Sequence, residues 1–305
     1  MINKTINDNK LILIRSLLIF PGHVEKFFLS AKKSNADAIV IDLEDSVPSN
    51  EKDNARNSVI SKIDNKGPKS NIFVRVNGIH SGRFESDIEA ILHKDLTGIV
   101  LPMVESKEDI LFAEKVISKI EADLKLKNGY FSLFPLIELP VAVLNIASIA
   151  TASKRIIGLI FGHEDYLLHL QAPHTIDREN ISVPRALIPI AARSIGGIPI
   201  DTPYLDIGNT DGCMENVLKS KTLGYSGMLT VHPSQIEIVN NGYSPTQHEI
   251  LEAKKIVEQV KESAKQKRSI TFSDCRFVGP PISEAALLTL KRAEKILEIS
   301  KKIKD

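Results

Sequence analysis

The sequence predicts an α/β fold: a closed (β/α)8 TIM barrel followed by a C-terminal helical lid segment. Three observations lead there. Eight apolar runs rich in Ile, Val, Leu and Phe recur at roughly 30-residue spacing. Most are almost continuously hydrophobic, as parallel strands covered on both faces are. Segments of helical period lie between them, and the repeated unit fills about 250 residues, the usual extent of such a barrel.

Taken in order, LILIRSLLIF (11–20) is the first strand-like run, and after it Val24, Phe27, Phe28 and Ala31 fall at i, i+3, i+4 and i+7. DAIVIDLE (37–44) and NIFVRVN (71–77) are the second and third runs, the latter followed by an amphipathic helix marked by Phe84, Ile88, Ile91 and Leu92. TGIVLPMV (97–104) is the fourth. Ser106 and Asp109 then have capping-box spacing ahead of a helix carrying Ile110, Ala113, Val116, Ile117 and Ile120. YFSLFPLIE (130–138) is the fifth run, and Pro140 suits the first turn of the helix behind it. RIIGLIFG (155–162), GIPIDTPY (197–204) and GYSGMLTVH (224–232) complete the set. Ser244-Pro245 opens a further helix with Ile250, Ala253, Ile256, Val257 and Val260 on one face. Residues 1–265 are therefore assigned to the barrel. KQKRSITFSDCRFVGPP reads as a linker, a last helix starts near Ile282, and 266–305 form a lid or an arm to a neighbouring subunit. An open doubly wound sheet is the alternative, weakened because neither GxGxxG nor GxxxxGK[ST] occurs.

Composition narrows the partners. Lys+Arg 39 against Asp+Glu 38 leaves a net charge of +1, so no global field draws nucleic acid or an anionic membrane. A small neutral or anionic ligand is expected instead. The N-terminal MINKTINDNK is polar and no window approaches ~20 apolar residues, which places the protein in the cytoplasm. Cys213 and Cys275 lack CxxC spacing and read as ordinary thiols.

Barrels of this kind carry their chemistry at the carboxyl ends of the strands. Strand two presents Asp42, Glu44 and Asp45 there, strand three Arg75 and Asn77, strand five Glu138, strand six Gly162, Glu164 and Asp165, and strand eight His232. Glu138 and Asp165 end consecutive strands, so their carboxylates should converge and share either a proton or a cation. Oxygen-only ligands favour Mg²⁺, which takes one or two carboxylates plus waters and substrate oxygens. The competing reading makes Glu138 a helix cap and Asp165 a loop residue. Arg75 suits bidentate binding of a carboxylate or the stabilising of an enolate oxygen, and equally suits a structural pair with the DLED carboxylates. His232, before Pro233, reads as a satisfied turn residue.

The ordered motifs RSLLIFPG (15–22), DAIVIDLEDSVP (37–48), FVRVNG (73–78), GIVLPMVES (98–106), PLIELP (135–140), GLIFGHEDY (158–166) and GYSGMLTVHPSQI (224–236) closely resemble the citrate lyase beta-subunit-like family of HpcH/HpaI aldolases. That family includes the malyl-CoA and citramalyl-CoA lyases. The resemblance implies a Mg²⁺ cofactor bound by Glu138 and Asp165, with Arg75, Glu138, Arg15, Glu44 and Asp45 as substrate-binding candidates. Arg75 is also a catalytic candidate. The segment SDCRFVGPPISEAA (273–286) resembles the family's C-terminal stretch, which implies that Asp274 is an acid/base catalyst delivered over a neighbouring barrel. A homo-oligomer, trimer or hexamer, follows from that arrangement. Met103 and Met228 stand where the family usually carries lysines at the mouth, which bears on the thioester carrier.

The implied activity is cleavage, or formation, of a 3-hydroxyacyl thioester of the citryl, malyl or citramalyl type. Its partners are a small 2-oxo or 2-hydroxy acid and a CoA or acyl-carrier thioester. Two alternatives stay open: a metal-dependent 2-keto acid aldolase acting on free acids, and a barrel subunit without catalysis.

Overall fold

Eight parallel strands close on themselves: β1 (Ser16–Pro21), β2 (Ala38–Asp42), β3 (Ile72–Arg75), β4 (Gly98–Leu101), β5 (Ser132–Ile137), β6 (Gly158–Phe161), β7 (Ile198–Asp201) and β8 (Gly227–Thr230). Closure comes from β1, which pairs with β2 on one side and β8 on the other. The structure is a computed structural model and describes residues 13–65, 71–175, 178–265, 271–273 and 276–304. All eight predicted strands are present, each shorter than its apolar run because the run includes the turn residues on either side.

Helices return the chain from each strand to the next: α1 (Glu25–Lys33), α2 (Lys52–Asp64), α3 (Phe84–Ile91), α4 (Lys107–Asp123), α5 (Pro140–Leu144) with α6 (Ile146–Thr151), α7 (His163–Leu170) with α8 (Ser182–Ser194), α9 (Thr210–Thr222) and α10 (Gln235–Tyr243). The start of α4 is fixed as its sequence predicts. Asp109 Oδ2 accepts the N–H groups of Glu105 and Ser106 at 2.7 and 3.0 Å, satisfying donors that precede the helix.

Alternation along the strands separates two cores. Ile39, Ile41, Val74, Ile99, Leu101, Leu133, Leu159 and Phe161 join the helix residues Phe28, Val59, Ile88, Ile110 and Ile117 in one buried cluster. Residues of opposite parity fill the barrel, where Phe73 and Phe134 meet edge-on at 5.2 Å between centroids. Asp42, Arg75 and Glu138 share this inward parity, so the same period that packs the barrel aims its charges into the mouth.

Paired charges hold the opposite, amino-terminal end. Arg15, just before β1, donates through Nε and Nη2 to Asp37 Oδ2 and Oδ1, both at 2.8 Å, and Asp37 immediately precedes β2. Both residues are buried. This corrects the expectation that Arg15 binds substrate: it lies at the closed end of the barrel. Arg155 and Glu121 form a second such clamp, with Nη1–Oε1 at 2.5 Å and Nη2–Oε2 at 2.6 Å. Glu121 also accepts the N–H groups of Gly129 and Phe131, each at 3.0 Å, which ties the entry to β5 to the entry to β6.

Ile14–Tyr243 form one compact unit and Ser244 onward belongs to another. The second contains α11 (Gln247–Lys265), two short strands β9 (Thr271–Ser273) and β10 (Arg276–Val278) paired antiparallel, and α12 (Pro280–Lys304), which packs along α11. The helix 247–265, counted with the barrel on sequence, thus falls in the second unit. The stretch read as a linker contains the β9–β10 pair. Asp274 and Cys275 lie outside the described residues. Among those described, no helix is long and apolar enough to cross a membrane.

Removing one partner of a buried pair leaves the other charge without compensation, at a cost of roughly 3 to 5 kcal/mol. Both side chains of the Arg155–Glu121 clamp are only 1% exposed. Glu121→Ala should therefore lower unfolding free energy by about that amount in a urea titration, while Glu114→Ala, whose half-buried carboxylate lies 3.5 Å from Arg155 Nε without a hydrogen bond, should cost less.

Candidate active site

Asp42 and Arg75 are register partners at the ends of β2 and β3. Arg75 Nε and Nη2 donate to Asp42 Oδ1 and Oδ2 at 2.6 and 2.7 Å, a bidentate pair. Asp42 also accepts the N–H groups of Glu44 and Ser46 at 3.0 and 3.1 Å, and the Ser46 hydroxyl. Burial opposes its ionisation, but the Arg75 guanidinium and these donors hold the Asp42 carboxyl below its ordinary value. The first carboxylate of DLED is therefore saturated and structural. It bends the chain so that the next two face the guanidinium.

Glu44 and Asp45 do so unequally. Arg75 Nη1 lies 3.3 Å from Glu44 Oε2 and 3.8 Å from Asp45 Oδ2. The nearer contact is an ion pair by distance but lacks hydrogen-bond alignment, and Glu44 Oε2 is buried with no hydrogen-bond partner. Burial raises the Glu44 carboxyl to about 8 against the pull of Arg75, with Asp45, Asp42 and Asp165 adding to the rise. Asp45, mostly exposed, is also raised, by partial burial and by Asp165 and Asp42, against Arg75.

Glu138 completes the set. It is buried, one residue past β5, and its Oε1 accepts the N–H of Met103 at 2.7 Å. Met103 presents that N–H from a left-handed backbone, φ +53°, a conformation that costs a side-chain-bearing residue of order 1 kcal/mol or more. Gly162 makes room from the other side: a Cβ there would stand 2.7 Å from Glu138 Oε2 and 2.8 Å from Glu138 Cβ. Burial drives the Glu138 carboxyl well above its ordinary value; the Met103 N–H opposes this, Glu44 and Asp165 reinforce it, and Arg75 opposes it. Asp165, in the first turn of α7, thus acts electrostatically on Glu44, Asp45 and Glu138 alike.

These carboxylates outnumber the cations beside them. Arg75 is one, and Lys52 the other. Its Nζ donates to the carbonyls of Leu43 and Glu44 and to Asn77 Oδ1 at 2.9, 2.8 and 2.7 Å, fastening the DLED turn to the end of β3. An excess of carboxylate, including a buried Glu44 oxygen with no donor, is an environment that a hard divalent cation relieves. Glu138 and Asp165 are the residues that could hold it, with Glu44 and Asp45 beside them.

The structure thus gathers Arg75, Glu44, Asp45, Glu138 and Asp165 at one end of the barrel and leaves Arg15 at the other. Met228 is buried in β8 with its Sδ 4.0 Å from Asn216 Nδ2 of α9, so that side chain faces the helix layer and not the mouth. His232 bonds Ser234 through Nδ1 at 2.8 Å in an exposed turn. Lys52 and the Met103 N–H were not foreseen, because their partners are backbone groups or a glutamate brought close only by folding. A cavity of about 350 Å³ lies beside α7, lined by residues including His163, Arg178 and Tyr204. It borders neither Glu138 nor Asp42.

Fold and site together define a class: a (β/α)8 protein whose mouth holds an arginine within a carboxylate cluster suited to a hard cation. The chain belongs to the HpcH/HpaI aldolase/citrate lyase family, whose model matches residues 15–233. It is 32% identical to citrate lyase subunit beta of Escherichia coli K12, over 96% of this chain and 98% of that one. Identity to mitochondrial citramalyl-CoA lyase of Homo sapiens is 28%, over 96% of this chain and 89% of that one. A solved Mycobacterium tuberculosis citrate lyase beta subunit, complexed with oxaloacetate and magnesium, superposes with a TM-score of 0.64 at 25% identity, covering 76% of this chain and 98% of that one.

Glu44 provides a test of the cluster. A carboxyl raised in the folded state from 4.5 to about 8 contributes stability that is present below pH 4.5 and lost as pH rises through 8. Glu44→Gln cannot ionise and escapes that loss. In EDTA, the Tm of Glu44→Gln relative to wild type should rise across this window by at least roughly 2–4 °C, then level off. A difference independent of pH would mean that Glu44 ionises freely.

Proposed function

We propose that the protein is a Mg²⁺-dependent carbon–carbon lyase acting on a 3-hydroxyacyl thioester of the citryl, malyl or citramalyl type, releasing a 2-oxo acid and an acyl thioester. The observation that carries this reading is the crowding of Glu44, Asp45 and Glu138 about Arg75, with Asp165 acting on all three, an excess of negative charge that a bound cation relieves. Likeness to citrate lyase subunit beta and citramalyl-CoA lyase over nearly the whole chain supports the reaction class.

Bound Mg²⁺ supplies Lewis-acid polarisation of the oxygens of a 2-oxo or 2-hydroxy acid. Glu138 and Asp165 hold it. Met103 N–H and the space left at Gly162 would keep the Glu138 carboxylate in place for it. Arg75 has Nε and Nη2 committed to Asp42, so Nη1 is the donor left to face substrate beside Glu44 and Asp45, where it offsets negative charge as the bond breaks. In the cleavage direction a base takes the hydroxyl proton, the C–C bond breaks to give the 2-oxo acid, and the thioester enolate takes a proton at carbon. Asp274, on the segment 266–305 read as a lid or arm from a neighbouring copy, is the proposed donor of that proton. This arrangement requires a homo-oligomer, and the cytoplasm is the proposed compartment.

Calorimetric titration of Mg²⁺ with oxaloacetate, pyruvate or glyoxylate tests the metal site. Asp165→Ala and Glu138→Ala should abolish the ternary complex and Glu44→Gln should only weaken it; equal binding by all would sink the assignment. Arg75→Ala should lower kcat/KM by about 10² to 10³-fold. The carrier is tested by screening acyl-CoA esters for release of 2-oxo acid. Turnover of free 2-hydroxy acids with none of the esters would favour the free-acid aldolase.

A further inference from the structure

The acid cluster uses only one face of the first turn of α7. Asp165 belongs to it, but His163 and Glu164 do not, since residues one and two apart on a helix do not share a face. Glu164 instead bridges two imidazoles. His163 Nε2 lies 2.7 Å from its Oε1 and His174 Nε2 lies 3.4 Å from its Oε2. The two rings stand perpendicular, at 88°, with centroids 6.2 Å apart.

His163 is buried and its Nδ1 is bonded to the Thr202 hydroxyl, whose oxygen also accepts the His163 backbone N–H at 3.2 Å. A ring held through one nitrogen, with the other turned to a carboxylate and a second imidazole, has the support that metal-ligating histidines have. One ligand atom from each of His163, Glu164 and His174 lies within 4.8 Å of the others. Ligands about 2.1 Å from a common ion are at most ~4.2 Å apart, and Glu164 and His174, both exposed, can close the remaining few tenths of an ångström. The cavity of about 350 Å³ begins at these histidines and continues past Arg178, Asn180 and Asn209, leaving space for an exogenous fourth ligand.

We propose that His163, Glu164 and His174 form a second cation site, for a borderline divalent metal of the Zn²⁺ or Co²⁺ class, separate from the oxygen-only site at Glu138 and Asp165. Ligand chemistry separates the two. Imidazole nitrogen selects the later transition metals, whereas carboxylate oxygens and water suit Mg²⁺. The site does not depend on the reading of the acid cluster.

Co²⁺ is the probe, because its visible absorption reports nitrogen ligation directly and does not require turnover. Added to the full-length protein in saturating Mg²⁺, Co²⁺ should bind at one equivalent with a ligand-field spectrum. His174→Ala and Glu164→Gln, both at exposed positions, should weaken that binding at least about tenfold, and Asp165→Ala should leave it in place. Two results would overturn the proposal: Co²⁺ binding unchanged in His174→Ala, or Co²⁺ displaced by Mg²⁺ and lost in Asp165→Ala. The second would place the ion at the acid cluster. Failure of the Mg²⁺ titration with 2-oxo acids, by contrast, would touch only the proposed lyase site.

Discussion

The bidentate pair between Asp42 and Arg75 is the interaction on which the mouth of the barrel depends. It joins two adjacent strands where their ladder ends, so the parallel register of β2 and β3 sets its geometry directly. The same carboxylate accepts two backbone N–H groups and a hydroxyl from the next four residues. One side chain therefore fixes the guanidinium and also folds the DLED turn over it. A buried pair of this kind contributes little net stability, because desolvation offsets much of the attraction. What it secures is orientation: two of the three nitrogens of Arg75 are committed, and the third faces Glu44 and Asp45.

Lys52 and Asp87 extend that order outward. Lys52 clamps the carbonyls of the DLED turn to Asn77, and Asn77 is in turn held by Asp87 through its N–H and its side-chain amide at 2.9 and 2.6 Å. Asp87 is itself paired with Arg56 at 2.7 Å. Each of these groups is answered by a partner. The contrast with Glu44 and Glu138 is the point: the supporting shell satisfies its own hydrogen bonds, while the acids it surrounds are left raised and short of positive charge. An unbalanced charge inside a balanced frame marks a place where a ligand completes the electrostatics.

The barrel was legible because period and length both announce it. Continuous runs such as AIVID and GLIF suit strands buried on both faces, as those of parallel sheets are, and the 30-residue repeat leaves a helix between each pair. The inward charges were legible for the same reason, since Asp42, Arg75 and Glu138 sit at strand ends with fixed parity. Arg15 misled because a basic residue beside a strand looks alike at either end; only the pairing with Asp37, before β2, assigns it to the closed face. Met228 misled through its motif, as alignment gives position along a strand but not the side on which a residue lies. Lys52 left no signal at all, its partners being mostly backbone carbonyls. The strands β9 and β10 are three residues each, too short for alternation to register.

Met103 and Gly162 show why the acid at 138 tolerates little change around it. One supplies an N–H from a left-handed backbone, the other the absence of a Cβ, and neither contribution depends on side-chain chemistry. A lysine in place of Met103 would keep that N–H if the backbone stayed left-handed, and would add a flexible cation at the rim. Methionine keeps the hydrogen bond and leaves out the charge. The methionine here is thus compatible with an intact hold on Glu138, and its own side chain packs against the hydrophobic core. The hold on Glu138 is thus separable from side-chain chemistry at 103, because it is written in the backbone geometry of Met103 and in the space left at Gly162.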